Sequence, residues 1–352
     1  MAWSQPKGGV GETSASRLSP LRSIDNGVYM TTVAELLQPV ESDLEDLLSD
    51  LRVLIGAGHP ILQAAAEHLF SAGGKRLRPG IVLLLSRALS PNGELGPRHR
   101  RLAEITEMIH TASLVHDDVV DEADTRRGVA TVHSRFSHRV AVLAGDFLFA
   151  QSSWHLANLD NLEVVKLLSR VIMDLAEGEI RQGLYRFDTG QSLDSYLDKS
   201  YRKTASLMAN SAKAAGVLSD LPTTELKSLY EFGRLLGLAF QVVDDILDFT
   251  ADDAQLGKPA ASDLASGTLT APVIYAMEEF PALSGLIERE FNEAGDLEQA
   301  LALVHQSRGI ARSRELAEKF SHEARACLDF LAPSEAKSAL LDLPDFVLSR
   351  LY

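Results

Sequence analysis

The sequence of 352 residues has little of several features that would point to other classes of protein. It has one cysteine, Cys327, which excludes an intrachain disulfide and a cysteine-rich metal site. Its 34 Lys and Arg residues face 49 Asp and Glu residues, and the resulting formal net charge of −15 argues against nucleic acid as a partner. No apolar run reaches the roughly 20 residues that a transmembrane helix needs. Aromatic residues make up only 6%, while leucine, alanine and charged residues dominate and favour helices over strands.

The apolar pattern predicts one large helical domain after an irregular tail. Residues 1–29 are rich in Gly, Ser and Pro and have no apolar periodicity, so we expect a disordered tail, a mis-assigned start or a transit peptide. Apolar residues then recur at spacings of three and four, with breaks at Gly, Pro, Asn and Asp clusters. We expect residues 30–352 to form a single domain, because no Pro/Gly/Ser-rich linker interrupts them. Helices that are apolar on most faces are typical of the centre of a bundle.

Two segments with the same acidic pattern, DDVVD at 117–121 and DDILD at 244–248, each follow strongly apolar helical turns. In a helix, the first and last aspartates of such a motif lie about 40° apart and share a face. Like charges at this spacing repel, and carboxylates beside apolar turns are costly without a partner. Magnesium, which prefers oxygen ligands and binds together with phosphates, would resolve both problems, whereas a solvated acidic face is the alternative. The predicted metal ligands are Asp117, Asp118, Asp121, Asp244, Asp245 and Asp248.

Basic and polar side chains near these motifs are candidates for binding anions. The segment GGKRLRP carries Lys75 and Arg78, which form either a solvated turn or part of a diphosphate site. Arg126 and Arg127 follow the first acidic motif and either balance its charge or grip phosphates. His110 lies about two helical turns before the motif and is either a core group or a ligand. Further polar candidates beside apolar stretches are Lys203, Thr204, Gln241 and Lys258.

In chain order, these segments resemble the trans-prenyl (polyprenyl) diphosphate synthase family from about residue 31 to the C terminus. The resemblance is carried by GGKRLRP, HDDVVDEADTRRG, GDFLFAQ, GEIRQG, KTASL, FQVVDDILDF and LGKPAASDL. Within the family, EITEMIHTASLVHDD, LAGDFLFAQSSWHLANL and SDLASGTLTAPVIYA are similar to the solanesyl diphosphate synthases of cyanobacteria and plastids, which serve plastoquinone side-chain synthesis. One departure is Thr268, at a loop position where many relatives have lysine, so one phosphate contact is missing there.

The resemblance implies an all-α isoprenoid-synthase fold, an antiparallel helical bundle around a deep central cavity, and a homodimer. It implies a prenyltransferase that condenses isopentenyl diphosphate head-to-tail with an allylic diphosphate, with about three Mg²⁺ ions per active site. Asp117 and Asp121 would bind two ions and Asp244 a third, with Asp245 and Asp248 acting through water. Isopentenyl diphosphate is assigned to Lys75, Arg78, His110 and Arg127, and the allylic diphosphate to Arg126, Lys203, Thr204, Gln241 and Lys258. The residues expected to be catalytic are Asp117, Asp121, Asp244 and Lys203.

The residues that precede the first acidic motif predict a long product. Ala112 and Ser113 lie about one turn before Asp117, and Met108 and Ile109 lie one turn further back. Each turn rises about 5 Å, which is close to the length of one isoprene unit. Aromatic residues close the pocket at this point in short-chain relatives, whereas Ala112 and Ser113 leave it open. We therefore expect a long-chain product, although the small residues would equally permit close helix packing.

Three other functions are compatible with parts of this pattern. A short-chain synthase making geranylgeranyl diphosphate would differ only in its product. A class I terpene cyclase would need the first acidic motif but not GGKRLRP, because it binds one diphosphate. A non-catalytic subunit of a synthase would not need both acidic motifs complete. The expected location is cytoplasmic, or the plastid if residues 1–29 are a transit peptide.

Overall fold

Helices form almost all of the regular structure in the computed structural model of this chain. The structure describes residues 32–54, 60–71, 74–126, 128–251 and 261–351, so the predicted tail at 1–29 lies outside the described residues. The α-helices are α1 (Val33–Leu37), α2 (Glu41–Leu54), α3 (Pro60–Ser71), α4 (Leu77–Leu89), α5 (Pro97–Val120), α6 (Val132–Arg135), α7 (His138–Ala157), α8 (Leu162–Leu184), α9 (Leu193–Ser200), α10 (Ser206–Leu218), α11 (Thr223–Thr250), α12 (Ser262–Ala265), α13 (Ala271–Glu279), α14 (Ala282–Glu288), α15 (Asp296–Gln306), α16 (Gly309–Ala326) and α17 (Glu335–Ser349). The predicted all-α class is confirmed.

The centre of the bundle consists of α5, α10 and α11. Almost every residue of α10 is buried, and the middle of α5 is buried from Leu102 to Ile109. Around these helices pack α4, α7, α8 and α16. Helices that are buried on most faces were predicted from their apolar composition. Two of them, α5 and α11, carry the two acidic motifs at their C-terminal ends. Among the described residues, no helix combines the length and apolar character of a membrane span.

A π-helical turn at Tyr201–Ala205 joins α9 to α10 and lies directly against α11. Gly237 of α11 permits this approach, because a Cβ atom there would lie 2.6 Å from the Cα of Ala205. Gly233 permits a similar approach of α11 to α10, where a Cβ atom would lie 2.4 Å from the carbonyl oxygen of Met208. Both distances are far below a normal contact, so larger residues would force α11 away from the turn and from α10.

Two elements were not predicted from the sequence. The first is a short antiparallel pair of strands, β1 (Thr125–Arg126) and β2 (Val129–Ala130), whose turn contains Gly128 at φ 76°. The second is α17, which packs on α4, α11 and α16 although Pro344 lies inside it. Its N-terminus is capped by the hydroxyl of Ser334, which accepts a hydrogen bond from the backbone N–H of Lys337.

Candidate active site

Two cavities adjoin the helices that carry the acidic motifs. The first, which we call the basic cavity, has a volume of about 580 Å³ and is lined by the 74–76 loop, α4, α5, the strand pair and the end of the chain near α17. The second, which we call the acidic cavity, has a volume of about 820 Å³. Its walls come from the C-terminal ends of α5 and α8, from α9 and the π-helical turn, from α11, and from residues 262–270.

The basic cavity brings together three residues predicted to bind isopentenyl diphosphate, namely Lys75, Arg78 and His110. Arg78 Nη1 lies 3.0 Å from Nε2 of His110. A guanidinium group can only donate, so Nε2 is the acceptor of this hydrogen bond. The ammonium of Lys75 lies 5.9 Å from the ring centroid of Phe346 in α17. The cavity therefore presents cations next to an apolar floor.

Arg126 and Asp118 also line the basic cavity. Arg126 Nε donates a 2.7 Å hydrogen bond to Asp118 Oδ1, and Asp118 is buried. Burial raises the pKa of Asp118, while the positive charge of Arg126 opposes that rise. Arg126 also acts electrostatically on Asp117 and Asp121. It thus stands between the two cavities, although the resemblance assigned it to the allylic diphosphate alone.

The first acidic motif meets a lysine at the acidic cavity. Lys203 Nζ lies 2.7 Å from Glu179 Oε2 and donates a 3.2 Å hydrogen bond to Gln182. Burial raises the pKa of Asp117 to about 6, although the nearby ammonium of Lys203 lowers it. Asp121 is exposed at the cavity wall, and burial of its carboxyl group also raises its pKa. Asp117 is therefore an incompletely compensated carboxylate one turn before Asp121, although Asp117 itself lines neither cavity.

A chain of hydrogen bonds holds Asp245 in the wall of the acidic cavity. The hydroxyl of Tyr196 donates to Asp245 Oδ2 at 2.6 Å, and Gln241 Nε2 donates to Oδ1 at 2.8 Å. The hydroxyl of Thr204 in turn donates to Gln241 Oε1 at 2.7 Å. Burial raises the pKa of Asp245 to about 7, and these hydrogen bonds lower it. Gln241 and Thr204 thus orient the second acidic motif, because the oxygen and the nitrogen of the Gln241 amide are both hydrogen-bonded.

The other two aspartates of the second motif have different surroundings. Asp248 is buried and accepts 3.2 Å hydrogen bonds from the hydroxyl of Ser262 and from the backbone N–H of Asp263. It thereby fixes the start of α12. Asp244 is partly exposed and lies 2.7 Å from Nη2 of Arg350, whose guanidinium is stacked 4.7 Å from the ring centroid of Phe240. The three carboxylates of this motif therefore serve three different contacts.

Some predicted site residues are brought together, and others are not. The end of α5, the π-helical turn and α11 bring together Asp121, Lys203, Gln241 and Asp245 in the lining of the acidic cavity. Among the described residues predicted to bind metal or substrate, those that line neither cavity are Asp117, Thr204, Asp244 and Asp248. Arg127 and Lys258 lie outside the described residues. The residues predicted to set product length are Met108, Ile109, Ala112 and Ser113. None of these four lines either cavity: the first three are completely buried, and the hydroxyl of Ser113 donates to the carbonyl of His110.

Several residues at the two cavities were missed by the sequence analysis. Glu107, buried in the wall of the basic cavity, pairs with Arg76, which has a left-handed backbone at φ 48°. Glu107 lies one turn before His110, and this spacing was a usable signal. Arg350 could not be found, because no pattern in the sequence indicates that the C-terminal helix reaches the basic cavity. The residues missed at the acidic cavity are Glu179, Gln182, Lys199 and Asp263.

The oxygen ligands at the acidic cavity fit a hard divalent cation that arrives with phosphate. In the part of the chain that the structure describes, no three His, Cys, Asp or Glu side chains converge into a ready-made metal cage. Magnesium does not need one, since it usually binds through one or two carboxylates together with water and substrate phosphates. The raised pKa of Asp117 indicates a carboxylate that its protein neighbours do not fully compensate.

Comparisons with known proteins find related sequences and a related fold. The profile of the polyprenyl synthetase family matches residues 59–304. A prenyl transferase of Synechocystis sp. is 66% identical over 92% of this chain and 100% of its own length. Solanesyl-diphosphate synthase 2, chloroplastic, of Oryza sativa subsp. japonica is 50% identical over 99% of this chain and 87% of its own. The crystal structure of a decaprenyl diphosphate synthase from Rhodobacter capsulatus superposes with a TM-score of 0.85 at 34% identity, covering 91% of this chain and 100% of that one.

Proposed function

The chain belongs to the polyprenyl synthetase family, and from this premise we propose that it makes solanesyl diphosphate, a long-chain all-trans product that serves plastoquinone synthesis. The observation that carries the proposal is the pair of adjoining cavities, one basic and one lined by both acidic motifs. Two diphosphates can then bind side by side, with Arg126 between them. The product is supported by the names of relatives from rice and Arabidopsis thaliana, which are 50% and 51% identical solanesyl diphosphate synthases.

In the proposed reaction, the basic cavity binds isopentenyl diphosphate through Lys75 and Arg78, with Arg127 as a further expected contact. His110 keeps Arg78 oriented through their hydrogen bond. The Arg76–Glu107 ion pair holds the loop that carries Lys75. A fixed binding geometry of this kind lowers the barrier by holding the two reacting carbon atoms close together.

The acidic cavity binds the allylic diphosphate through Lys203 and Gln241, with Lys258 as a further expected contact. Mg²⁺ held by Asp117, Asp121 and Asp244 would neutralise charge on the departing diphosphate, with Asp245 and Asp248 acting through water. Arg350 Nη2 lies 2.7 Å from Asp244 Oδ1, so Arg350 would compete with Mg²⁺ for that oxygen.

The allylic carbon–oxygen bond breaks, and its electron pair leaves with the diphosphate. The double bond of isopentenyl diphosphate then attacks the allylic cation, and the proton lost from the new chain passes to the departing diphosphate. The chain supplies no nucleophile in this scheme. Its residues orient the two substrates, stabilise the charge that develops and keep water away from the cation.

The proposed function is tested by incubating the purified protein with radiolabelled isopentenyl diphosphate, several allylic primers and Mg²⁺, and then sizing the dephosphorylated products. We expect solanesyl diphosphate as the main product. Asp117→Ala and Asp244→Ala should lower turnover by orders of magnitude, whereas Glu318→Ala, an exposed position on α16, should not. Normal turnover in both aspartate variants at saturating Mg²⁺ would refute the assigned roles, and geranylgeranyl diphosphate as the main product would replace the proposed one.

Product length is proposed to depend on the helical turn before the first acidic motif. Ala112→Phe should shorten the product, because the larger ring would block the path of the growing chain. Ala112 is completely buried, so the larger side chain also risks overpacking, and Ser113→Phe at a half-buried position provides a second variant. Thermal melting checks that both are folded. Unchanged product sizes in both folded variants would contradict this role.

A homodimer is proposed to form through α7 and α8. The outer face of α8 carries an exposed apolar stripe of Leu162, Met173, Ile180 and Leu184, with exposed fractions of 69%, 53%, 66% and 73%. These positions fall within about 40° of one another around the helix. Trp154 of the neighbouring α7 is 66% exposed. Exposed apolar patches of this kind mark contacts between subunits. Light scattering should give twice the chain mass, and Ile180→Glu should give the monomer; a monomeric native protein would exclude the dimer.

The proposed location is the cytoplasm, or the plastid if residues 1–29 act as a transit peptide. The relatives from rice and Arabidopsis thaliana carry the word chloroplastic in their names. A fusion of residues 1–29 to a fluorescent protein distinguishes the two: import into isolated chloroplasts supports the plastid, and exclusion supports the cytoplasm.

A further inference from the structure

Lys199 is a buried lysine that the scheme above leaves without a role. It lies near the C-terminal end of α9, is only 7% exposed, and lines the acidic cavity. Its ammonium is 5.6 Å from the ring centroid of Tyr196, the residue that donates a hydrogen bond to Asp245. The side chain therefore lies beside the second acidic motif and reaches the cavity wall.

Within the described residues, the ammonium of Lys199 forms neither a hydrogen bond nor an ion pair. The two other cations of the acidic cavity are engaged: Lys203 pairs with Glu179, and Arg186 donates a 2.7 Å hydrogen bond to the carbonyl of Ser266. A buried ammonium that has neither a hydrogen-bond acceptor nor an opposite charge destabilises the fold. Such a group is therefore expected where a ligand completes its contacts. An anion in the acidic cavity would do so.

Residues 262–270 add hydroxyl groups to the lining of the acidic cavity, from Ser262, Ser266, Thr268 and Thr270. Thr268 is the loop position at which many members of the family have lysine. Hydroxyl groups can donate hydrogen bonds to a diphosphate but cannot balance its charge. In the described part of this wall, Lys199 and Lys203 add positive charge from α9 and the π-helical turn, where they lie four positions apart.

We propose that Lys199 is a further substrate-binding residue, whose ammonium contacts the diphosphate of the allylic substrate in the acidic cavity together with Lys203. This inference rests on the proposed function, since it names a contact of the same site. It also explains why a buried cation without a protein partner occupies this wall. The group acts by charge and hydrogen bonding alone, and no bond is made or broken at Lys199.

The first experiment compares Lys199→Gln and Lys199→Arg with Lys319→Gln, which removes the same charge from an exposed position on α16. Loss of a charge-assisted hydrogen bond should weaken binding by about tenfold to a hundredfold. Isothermal titration with inorganic pyrophosphate in the presence of Mg²⁺ should show this loss for Lys199→Gln. The KM for geranylgeranyl diphosphate as primer should rise to a similar extent, while the KM for isopentenyl diphosphate stays within about twofold. Lys199→Arg should retain most of the binding, and Lys319→Gln all of it.

The second experiment separates a binding role from a structural one. Lys199→Met should melt at the same temperature as the native protein or higher without ligand, because an unpaired buried charge is removed. The rise in melting temperature caused by pyrophosphate and Mg²⁺ should shrink in that variant. A lower melting temperature without ligand, with unchanged pyrophosphate binding and unchanged KM for the primer, would overturn the proposal. Pyrophosphate binding reports on Lys199 even if the native protein fails to elongate isopentenyl diphosphate, and that failure would refute the proposed function instead.

Discussion

Replacing Gly237 by alanine tests the packing that sets the second acidic motif against the turn carrying Lys203. The new Cβ would lie 2.6 Å from the Cα and 2.7 Å from the Cβ of Ala205. Carbon atoms in contact are normally about 3.5–4.0 Å apart, so α11 and the π-helical turn must separate by about 1 Å. Overpacking of this size costs about 1–3 kcal/mol, partly offset by the gain of up to about 1 kcal/mol when alanine replaces glycine in a helix.

The matched control is Gly285→Ala in α14, where a Cβ would meet no atom within 4 Å. That variant should be stabilised by up to about 1 kcal/mol, so urea unfolding should separate the two variants by about 1–3 kcal/mol. Gly237 lies one turn before Gln241, and the separation would stretch the 2.7 Å hydrogen bond from Thr204. A 1 Å misplacement can lower turnover by about a hundredfold. Equal unfolding free energies for the two variants, with native turnover in both, would refute the reasoning.

Three further predictions concern buried polar groups. Burial raises the pKa of Glu104 from its ordinary value of 4.5 to about 7, so its contribution to stability is fully present below pH 4.5 and is lost as the pH rises through 7. Glu104→Gln should therefore increase the free energy of unfolding at pH 8, by up to about 3 kcal/mol, and leave it unchanged at pH 4.5; an equal effect at both would contradict this. Tyr196→Phe removes the 2.6 Å hydrogen bond to buried Asp245 and should lower the free energy of unfolding in urea by about 1–3 kcal/mol. An unfolding midpoint equal to that of the native protein would contradict this. Asp43→Ala deprives Arg87 of a 2.6 Å partner and should lower the free energy of unfolding in urea by about 1–3 kcal/mol. The control Asp46→Ala, at a position that is 65% exposed, should change it little, and equal losses in the two variants would contradict this.

The positions of the acidic motifs were largely predictable, because a helical repeat determines which residues of one helix share a face. Asp117 and Asp121 lie one turn apart near the end of α5, as that repeat requires. The same repeat places Asp118 about 100° from Asp117 and about 60° from Asp121, and Asp118 lines the basic cavity with Arg126. Spacing alone could not show what each carboxylate meets. Asp244 contacts Arg350, which is more than a hundred positions away in the chain, and no local pattern encodes that contact.

Two groups of cavity residues were not predicted from local sequence patterns, one in the C-terminal helix and one in α9. Proline inside a helix removes a backbone hydrogen bond and clashes with the preceding turn, so Pro344 argued against the helix that brings Phe346 and Arg350 to the basic cavity. Burial on α4, α11 and α16 outweighs that cost. Lys199 was missed for a different reason, because the amphipathic pattern of α9 gave no sign that its last turn opens into a cavity.

The π-helical turn at Tyr201–Ala205 carries one residue more than an α-helical turn would need. Excising a single residue there would let the segment relax into ordinary α-helix, at the expense of rotating everything on one side of the cut by about 100° relative to the other. Either Lys199 or Lys203 would then swing away from the cavity that both now reach. The length of this stretch, and not merely its composition, is therefore under constraint, and a one-residue deletion should be tolerated far less well here than in the loops between helices.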